Sequence, residues 1–302
     1  MKKFMCVVLA VTLLIFSGCA GNAPETPKDK ITVAASFYPV YIFTINLLNG
    51  IDEVSVECMA EQSVGCLHDY TLTAKDAKLL NDAQILVING AGMESFLEDA
   101  FQSVQKLKVI DSSDNVDVVC EEEHHHEEED HHHHENSHIW LSLGNAKLQV
   151  GNIKNGLIKE FPQYENQIEE NYRDYIKRLD VLEEERKAIL MTAKDVNIIS
   201  FHGAYEYLAQ DLGLNICHTI EGDEGYEPSA KELARLSNQI QENNIKTLFV
   251  APNYSGSATE ILGRETGVEI YVINPVISGE EKLTAYEDIM KENYKTILKA
   301  VK

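Results

Sequence analysis

Basic side chains are scarce. Lysine and arginine number 26 against 49 aspartates and glutamates, a formal net charge of −23 over 302 residues. That balance excludes nucleic acid and an anionic membrane surface as partners, because both need a positive face to bind. It suits the attraction of cations. No phosphate-binding loop and no glycine-rich dinucleotide fingerprint occurs, so nucleotide binding belongs to another protein. Tryptophan occurs once, at Trp140. The apolar run Met5 to Phe16 is too short to span a bilayer comfortably. What is present is enough for folded cores: 44% of residues are apolar, and the length suits about two domains.

Lys2 and Lys3 precede that apolar run, which ends in Phe16-Ser17-Gly18-Cys19. A positive start followed by a short apolar stretch is an export signal. Small residues before a cysteine resemble the bacterial lipoprotein processing box, with Cys19 becoming the lipid-modified first residue. Residues 1–18 then read as a lipoprotein signal peptide, and 19–30, with two prolines, as a flexible tether. The other reading is an ordinary secretory signal with an incidental cysteine. The expected place of work is outside the cytoplasm, on the bacterial cell membrane. Disulfides are permitted there. Cys58 and Cys66 flank a short loop and either pair or stay free, and with Cys120 and Cys217 they are not sorted by spacing.

Short apolar runs alternate with amphipathic stretches from Ile31 onward. Ile31 to Ser36, Val54 to Met59, Ile85 to Asn89 and Lys108 to Asp111 read as strands. Pro39 starts a helix that Asn49-Gly50 ends, and helices follow over Thr73 to Leu80, Met93 to Leu107 and Asn145 to Lys159. Tyr164, Ile168, Tyr172, Tyr175, Ile176, Leu179, Leu182, Ile189 and Leu190 recur at three- and four-residue spacing. That pattern predicts one helix from Pro162 to Met191, on the order of 45 Å long. The alternation then resumes, with strands at Val196 to Ser200, Leu214 to His218, Lys246 to Ala251 and Val268 to Ile273. Helices are expected over Ala204 to Asp211, Pro228 to Glu242, Ser257 to Thr266 and Lys282 to Val301. The fold class is α/β: two lobes with parallel-type sheets (31–160 and 193–302) joined by a long backbone helix (161–192), facing each other across a cleft.

Glu121 to Glu135 breaks every pattern, with seven histidines and eight carboxylates in fifteen residues. Such a stretch cannot bury a core and is expected to be a surface loop, residues 121–137 in all. Its histidines, His124, His125, His126, His131, His132, His133 and His134, are competent to bind metal weakly.

Three further histidines, His68, His138 and His202, each stand in a polar turn beside an apolar segment. In open α/β sheets ligands bind outside the carboxyl ends of the strands, so these turns are placed to converge. Neutral imidazole nitrogens suit zinc. A lone histidine is more often a surface or core group, and it is the joint context that singles out these three. One pentapeptide points elsewhere: His134-Glu135-Asn136-Ser137-His138 matches the H-E-x-x-H pattern of zinc peptidases. That chemistry needs a helix to bring both histidines to one face, and Asn136-Ser137 is poor helix interior.

Ser36-Phe37-Tyr38-Pro39, Gly65 with His68-Asp69-Tyr70, His138-Ile139-Trp140-Leu141-Ser142, Phe201-His202-Gly203-Ala204-Tyr205 and Glu227-Pro228-Ser229 occur in that order. The series resembles the ZnuA-like zinc-binding branch (cluster A-I) of the solute-binding proteins of metal ABC importers, over nearly the whole chain after the signal. The resemblance implies two α/β lobes joined by a backbone helix, with one tight Zn2+ site in the cleft between them held by His68, His138 and His202, and no catalysis. It implies an ABC permease as partner. Three neutral imidazoles suit Mn2+ less than Zn2+, because manganese prefers carboxylate oxygens. The chain is expected to be a monomer, since heptads along the long helix are not sustained enough to prefer a coiled-coil dimer. The acidic histidine-rich loop resembles the zinc branch too. The chain departs from its relatives at Asn274, where many carry an acid, and at Leu67, where some carry one. The fourth ligand is then water, which ranks first, the Asn274 amide oxygen, or a thiol such as Cys66. Asn274 has a second reading, as the cap of the strand end before Pro275. Asp69 is expected to orient a ligand imidazole, Trp140 to pack beside the site, and His218 to be structural. A zinc metallopeptidase and an extracellular metal buffer or adhesin are the alternatives.

Overall fold

The computed structural model describes residues 30–60, 67, 70–97, 106–119, 136–201, 203–220, 228–252 and 256–302. The expectations placed on Cys19, Cys66, His68, Asp69, Cys120, the histidines 124–126 and 131–134, Glu135 and His202 lie outside the described residues.

Two four-stranded sheets carry the chain. The first holds β1 (Ile31–Ala35), β2 (Val54–Cys58), β3 (Ile85–Ile88) and β4 (Lys108–Asp111) in the order β2-β1-β3-β4, every pair parallel. The second holds β5 (Asn197–Ser200), β6 (Asn215–Thr219), β7 (Thr247–Val250) and β8 (Glu269–Val272) in the order β6-β5-β7-β8, again parallel. The inner strands are nearly all apolar, Ile-Leu-Val-Ile in β3 and Thr-Leu-Phe-Val in β7, because helices cover both faces of a parallel sheet. The edge strands β4 and β8 carry exposed Lys108, Asp111 and Glu269. In each sheet the strand order reverses between the first and third strands, which opens a crevice at their carboxyl ends.

The helices are α1 (Tyr38–Leu47), α2 (Ala74–Asp82), α3 (Leu143–Glu160), α4 (Glu165–Ala193), α5 (Glu206–Leu212), α6 (Ala230–Glu242), α7 (Ser257–Thr266) and α8 (Ala285–Ala300). Side-chain caps explain where several begin. Thr73 and Asp76 form a capping box on α2, and Ser142 accepts the Asn145 N–H of α3. Ser229 and Glu232 form another box on α6, so Pro228 precedes that cap instead of opening the helix. Other expected helices also differ at their starts. Residues 91–94 are a turn and Ser95–Leu97 a 3-10 turn, so the described start of the Met93 to Leu107 stretch is not α-helical, and residues 98–105 lie outside the description. Gly203–Tyr205 is a 3-10 turn that delays α5 to Glu206. The last helix starts at Ala285, after Lys282 has paired with Glu280 at 2.7 Å and Asp288 at 3.2 Å.

The linking helix α4 has 29 residues, about 43 Å at 1.5 Å per residue. Its buried face, Ile168, Tyr175, Leu179, Leu182 and Ile189, keeps the three- and four-residue spacing that marks it in the sequence. Each of the four aliphatic side chains, Ile168, Leu179, Leu182 and Ile189, stabilises the fold by about 1.5–3 kcal/mol when fully buried. That face belongs to one hydrophobic core running from Val33 in the first lobe to Ile297 in the second. Hydrogen bonds also cross between lobes. Asp211 accepts from Leu143 N–H at 2.7 Å and Ser142 Oγ at 3.0 Å, Asn46 Nδ2 donates to the Leu283 carbonyl at 2.9 Å, and Tyr38 Oη to that of Glu280 at 2.7 Å. Among the described residues, no helix is long and apolar enough to cross a membrane.

Candidate metal centre

Of the three candidate histidines, His138 is the one the structure describes. Behind it Ile139–Leu141 makes a 3-10 turn whose three side chains are entirely buried, and Ser142 then caps α3. Apolar anchoring of that turn fixes the backbone on which His138 stands, and His138 is itself 2% exposed. Its ring lies 5.2 Å from the Trp140 ring, centroid to centroid. Trp140 packs edge-on against Phe37 and donates its Nε1–H to the Pro275 carbonyl at 2.8 Å. The single tryptophan is therefore core packing beside His138, as expected, and a fastener between lobes as well.

Asn136 was not singled out by any motif chemistry, and it organises this corner. Its Oδ1 accepts the His138 backbone N–H at 3.1 Å and lies 3.0 Å from His138 Nδ1. Its Nδ2 donates to the Gly203 carbonyl at 2.9 Å and to Glu206 Oε2 at 3.0 Å. Those two acceptors settle which end of the amide is which. The oxygen faces the imidazole, so Nδ1 carries the proton and Nε2 the lone pair. The backbone of Asn136 is held too: its N–H donates to Val119, and its carbonyl accepts from Tyr207 of the second lobe at 2.7 Å. Asn136 and Ser137, expected to close the surface loop, are each 1% exposed.

The flanks of the other two candidates are well anchored. Phe201 N–H donates to the Phe249 carbonyl at 2.9 Å just past β5, and Tyr205 Oη donates to the Ile273 carbonyl at 2.5 Å. Asn136 therefore joins His138 directly to Gly203, the residue after His202. Leu67 and Tyr70, on either side of the His68-Asp69 pair, are buried, and Tyr70 Oη donates to Asp76 at 2.7 Å. Among the described residues no three His, Cys, Asp or Glu side chains come together.

Asn274 has the geometry of its turn reading. Its Oδ1 accepts the Val276 N–H at 2.8 Å, while Asn293 accepts its N–H and donates to its carbonyl. That turn sustains Val276 at a φ of +61°, a strained conformation for a β-branched residue. Cys58 and Cys217 are free thiols, and burial pushes the Cys58 thiol up to about 12, which keeps it protonated. His218 is buried, with Nε2 3.2 Å from Arg235, a structural placement. The peptidase pattern loses its helix: Asn136, Ser137 and His138 are non-helical, so the pentapeptide is not a continuous helix with His138 on the face of His134.

A second residue that sequence reasoning passed over is Glu94. Its carboxylate is buried at the crevice of the first sheet, accepting from Ser36 Oγ at 2.7 Å, Asn89 N–H at 2.8 Å and Gly90 N–H at 3.0 Å. Burial pushes it up to about 7 against the pull of those three donors. Asn89, in turn, donates to the carbonyl of Ser137, beside His138. No periodicity marks Glu94, because its donors come from the ends of two different strands.

The family described as ZnuA, zinc-uptake complex component A periplasmic, matches residues 33–300. The chain is similar to the high-affinity zinc uptake system protein ZnuA of Bacillus subtilis, 31% identical over 301 residues that make 95% of this chain and 93% of that one. It is similar to the zinc-binding protein AdcA of Streptococcus pyogenes, 29% identical over 318 residues, 98% of this chain. The chain spans only 61% of the length of that streptococcal relative. Among solved structures it resembles the SBP FpvC of Pseudomonas aeruginosa in complex with Mn2+, with a TM-score of 0.79 and 26% identity over 90% of this chain and 98% of that one.

Proposed function

The chain belongs to the ZnuA family of periplasmic zinc-uptake components, and we propose that it is an extracytoplasmic receptor that captures one zinc ion and hands it to an ABC permease. His68, His138 and His202 are the ligands in this reading, at the junction of lobes 31–160 and 193–302, and water completes the tetrahedron. The observation that carries it is the imidazole of His138: buried, with Nδ1 facing Asn136 Oδ1 at 3.0 Å, which assigns Nδ1 as the donor and Nε2 as the basic nitrogen. Metal-binding histidines characteristically donate their second ring nitrogen in this way. Asn274 keeps its oxygen in the Val276 turn, so water remains the preferred fourth ligand over Asn274 and Cys66. A water-held position lets ligands of the permease enter before the histidines leave. The relatives' names speak of zinc, and one structural neighbour holds Mn2+. Three neutral nitrogens favour zinc over manganese, which prefers carboxylate oxygen and stands lower in the divalent affinity order.

The protein catalyses nothing in this reading, acts as a monomer, and is held to the membrane by lipid on Cys19. The histidine-rich segment adds weak binding. The test is competition titration of zinc against a chromogenic chelator for His68→Ala, His138→Ala and His202→Ala. Each is expected to lose the tight phase while keeping the fold, since whole structural zinc sites are worth roughly 10–16 kcal/mol and a missing imidazole costs several. Retained tight binding in any one removes that residue from the site.

A further inference from the structure

We propose that Asn136 is the positioning residue of this site: its amide oxygen holds His138 in the tautomer protonated on Nδ1, and its amide nitrogen ties that histidine to the second lobe at Gly203. The proposal rests on the reading that His138 and His202 bind the ion. Four hydrogen bonds define it. Oδ1 takes the His138 N–H and faces Nδ1, and Nδ2 gives to Gly203 and to Glu206. The amide cannot rotate, because a flip would set its NH2 against the His138 backbone N–H and its oxygen against the two acceptors, Gly203 and Glu206. The side chain is also shut away from water, at 1% exposure, so no solvent competes for the imidazole proton. The backbone on both sides is pinned, by Val119 and by Tyr207. A neutral imidazole in water divides its proton between two nitrogens. Here the choice is made before the ion arrives, and the ion meets a lone pair already on Nε2. The same amide sets the distance between the turn of His138 and the turn that follows His202. One residue thus orders ligand-bearing segments 67 residues apart, Asn136 to Gly203.

The test uses the full chain and reads two independent quantities. In the zinc-free protein labelled with 15N-histidine, long-range 1H–15N spectra report the His138 tautomer, with His138→Ala identifying its signals. The wild type is expected to show Nδ1–H. Asn136→Ala is expected to lose that state and to weaken tight zinc binding by roughly 10–100-fold. Asn136→Leu, similar in size but without an acceptor, replaces it if the alanine variant does not fold. Asn136→Asp keeps an acceptor for Nδ1–H and is expected to retain the tautomer, with an affinity between wild type and Asn136→Ala because the link to Gly203 and Glu206 is gone. The proposal is overturned if Asn136→Ala keeps the Nδ1–H state, if it loses that state with zinc affinity unchanged, or if Asn136→Asp binds no better than Asn136→Ala. His138→Ala separates the two levels. If it still binds zinc tightly, the ligand assignment fails and the positioning role falls with it. If it loses the tight phase while Asn136→Ala keeps both tautomer and affinity, only the positioning role is wrong.

Discussion

Replacing Glu94 by glutamine changes how stability depends on pH, and the structure sets both the sign and the size. The wild-type carboxyl titrates near 7 in the folded protein against 4.5 ordinarily. Between those values the unfolded chain has released a proton that the folded chain still holds. Folding therefore takes up a proton in that window, and stability from this group falls as pH rises. The contribution is full below 4.5 and gone above 7. A gap of 2.5 units at 1.36 kcal/mol per unit amounts to about 3 kcal/mol. Two effects compete at the site. Loss of hydration raises the value, and the donors Ser36, Asn89 and Gly90 lower it, with burial the larger. Glutamine has nearly the same shape but does not titrate. Urea unfolding of zinc-free wild type and Glu94→Gln, from pH 4.5 to just above 7, gives the difference in stability at each pH. The wild-type advantage is expected to shrink by about 3 kcal/mol across the range. A constant difference would show that the carboxyl titrates as in the unfolded chain. A difference that grows with pH would show that the three donors outweigh burial, and would refute the reasoning.

Deleting Glu121 to Glu135 is expected to abolish a weak phase of zinc binding in calorimetry and to keep the tight phase; loss of the tight phase would make that segment the primary site and the protein a buffer. Asn274→Asp is expected to leave the ratio of manganese to zinc dissociation constants within about twofold, because the oxygen already serves the Val276 N–H, whereas a first-rank ligand would shift the ratio toward manganese. Asp211→Ala removes the acceptor of Leu143 N–H and Ser142 Oγ between lobes, and should cost about 2–3 kcal/mol in urea unfolding, since it strands donors at a helix start; a loss under 0.5 kcal/mol would show the link to be incidental.

The parts of this molecule written in local pattern are legible without coordinates. The strands announce themselves as short apolar runs because parallel sheets bury both faces, and the linking helix by its spacing from Ile168 to Ile189. What local pattern misses is held together across long separations. Trp140 reaches Pro275, 135 residues on, and Asn136 reaches Glu206, 70 residues on. In sequence Asn136 is one more polar residue at the end of a polar stretch, and its amide acquires a role only when the second lobe supplies two acceptors. Glu94 falls unremarked in a stretch expected to be helix, yet its carboxylate is drawn inward by N–H groups at the end of β3. Helix starts shift by a few residues for a similar reason. At Ser229 and Ser142 the hydroxyl that caps the helix, more than the first apolar residue, decides where it begins.

The central claim is that His68, His138 and His202 hold one zinc ion between the lobes. Diffraction data collected on either side of the zinc absorption edge, from crystals of the zinc-loaded protein, address it directly. The account predicts one dominant anomalous peak about 2.0–2.1 Å from an imidazole nitrogen of each of the three residues, Nε2 in the case of His138. A dominant peak bound by other side chains, or one that leaves His138 Nε2 uncoordinated, would contradict it.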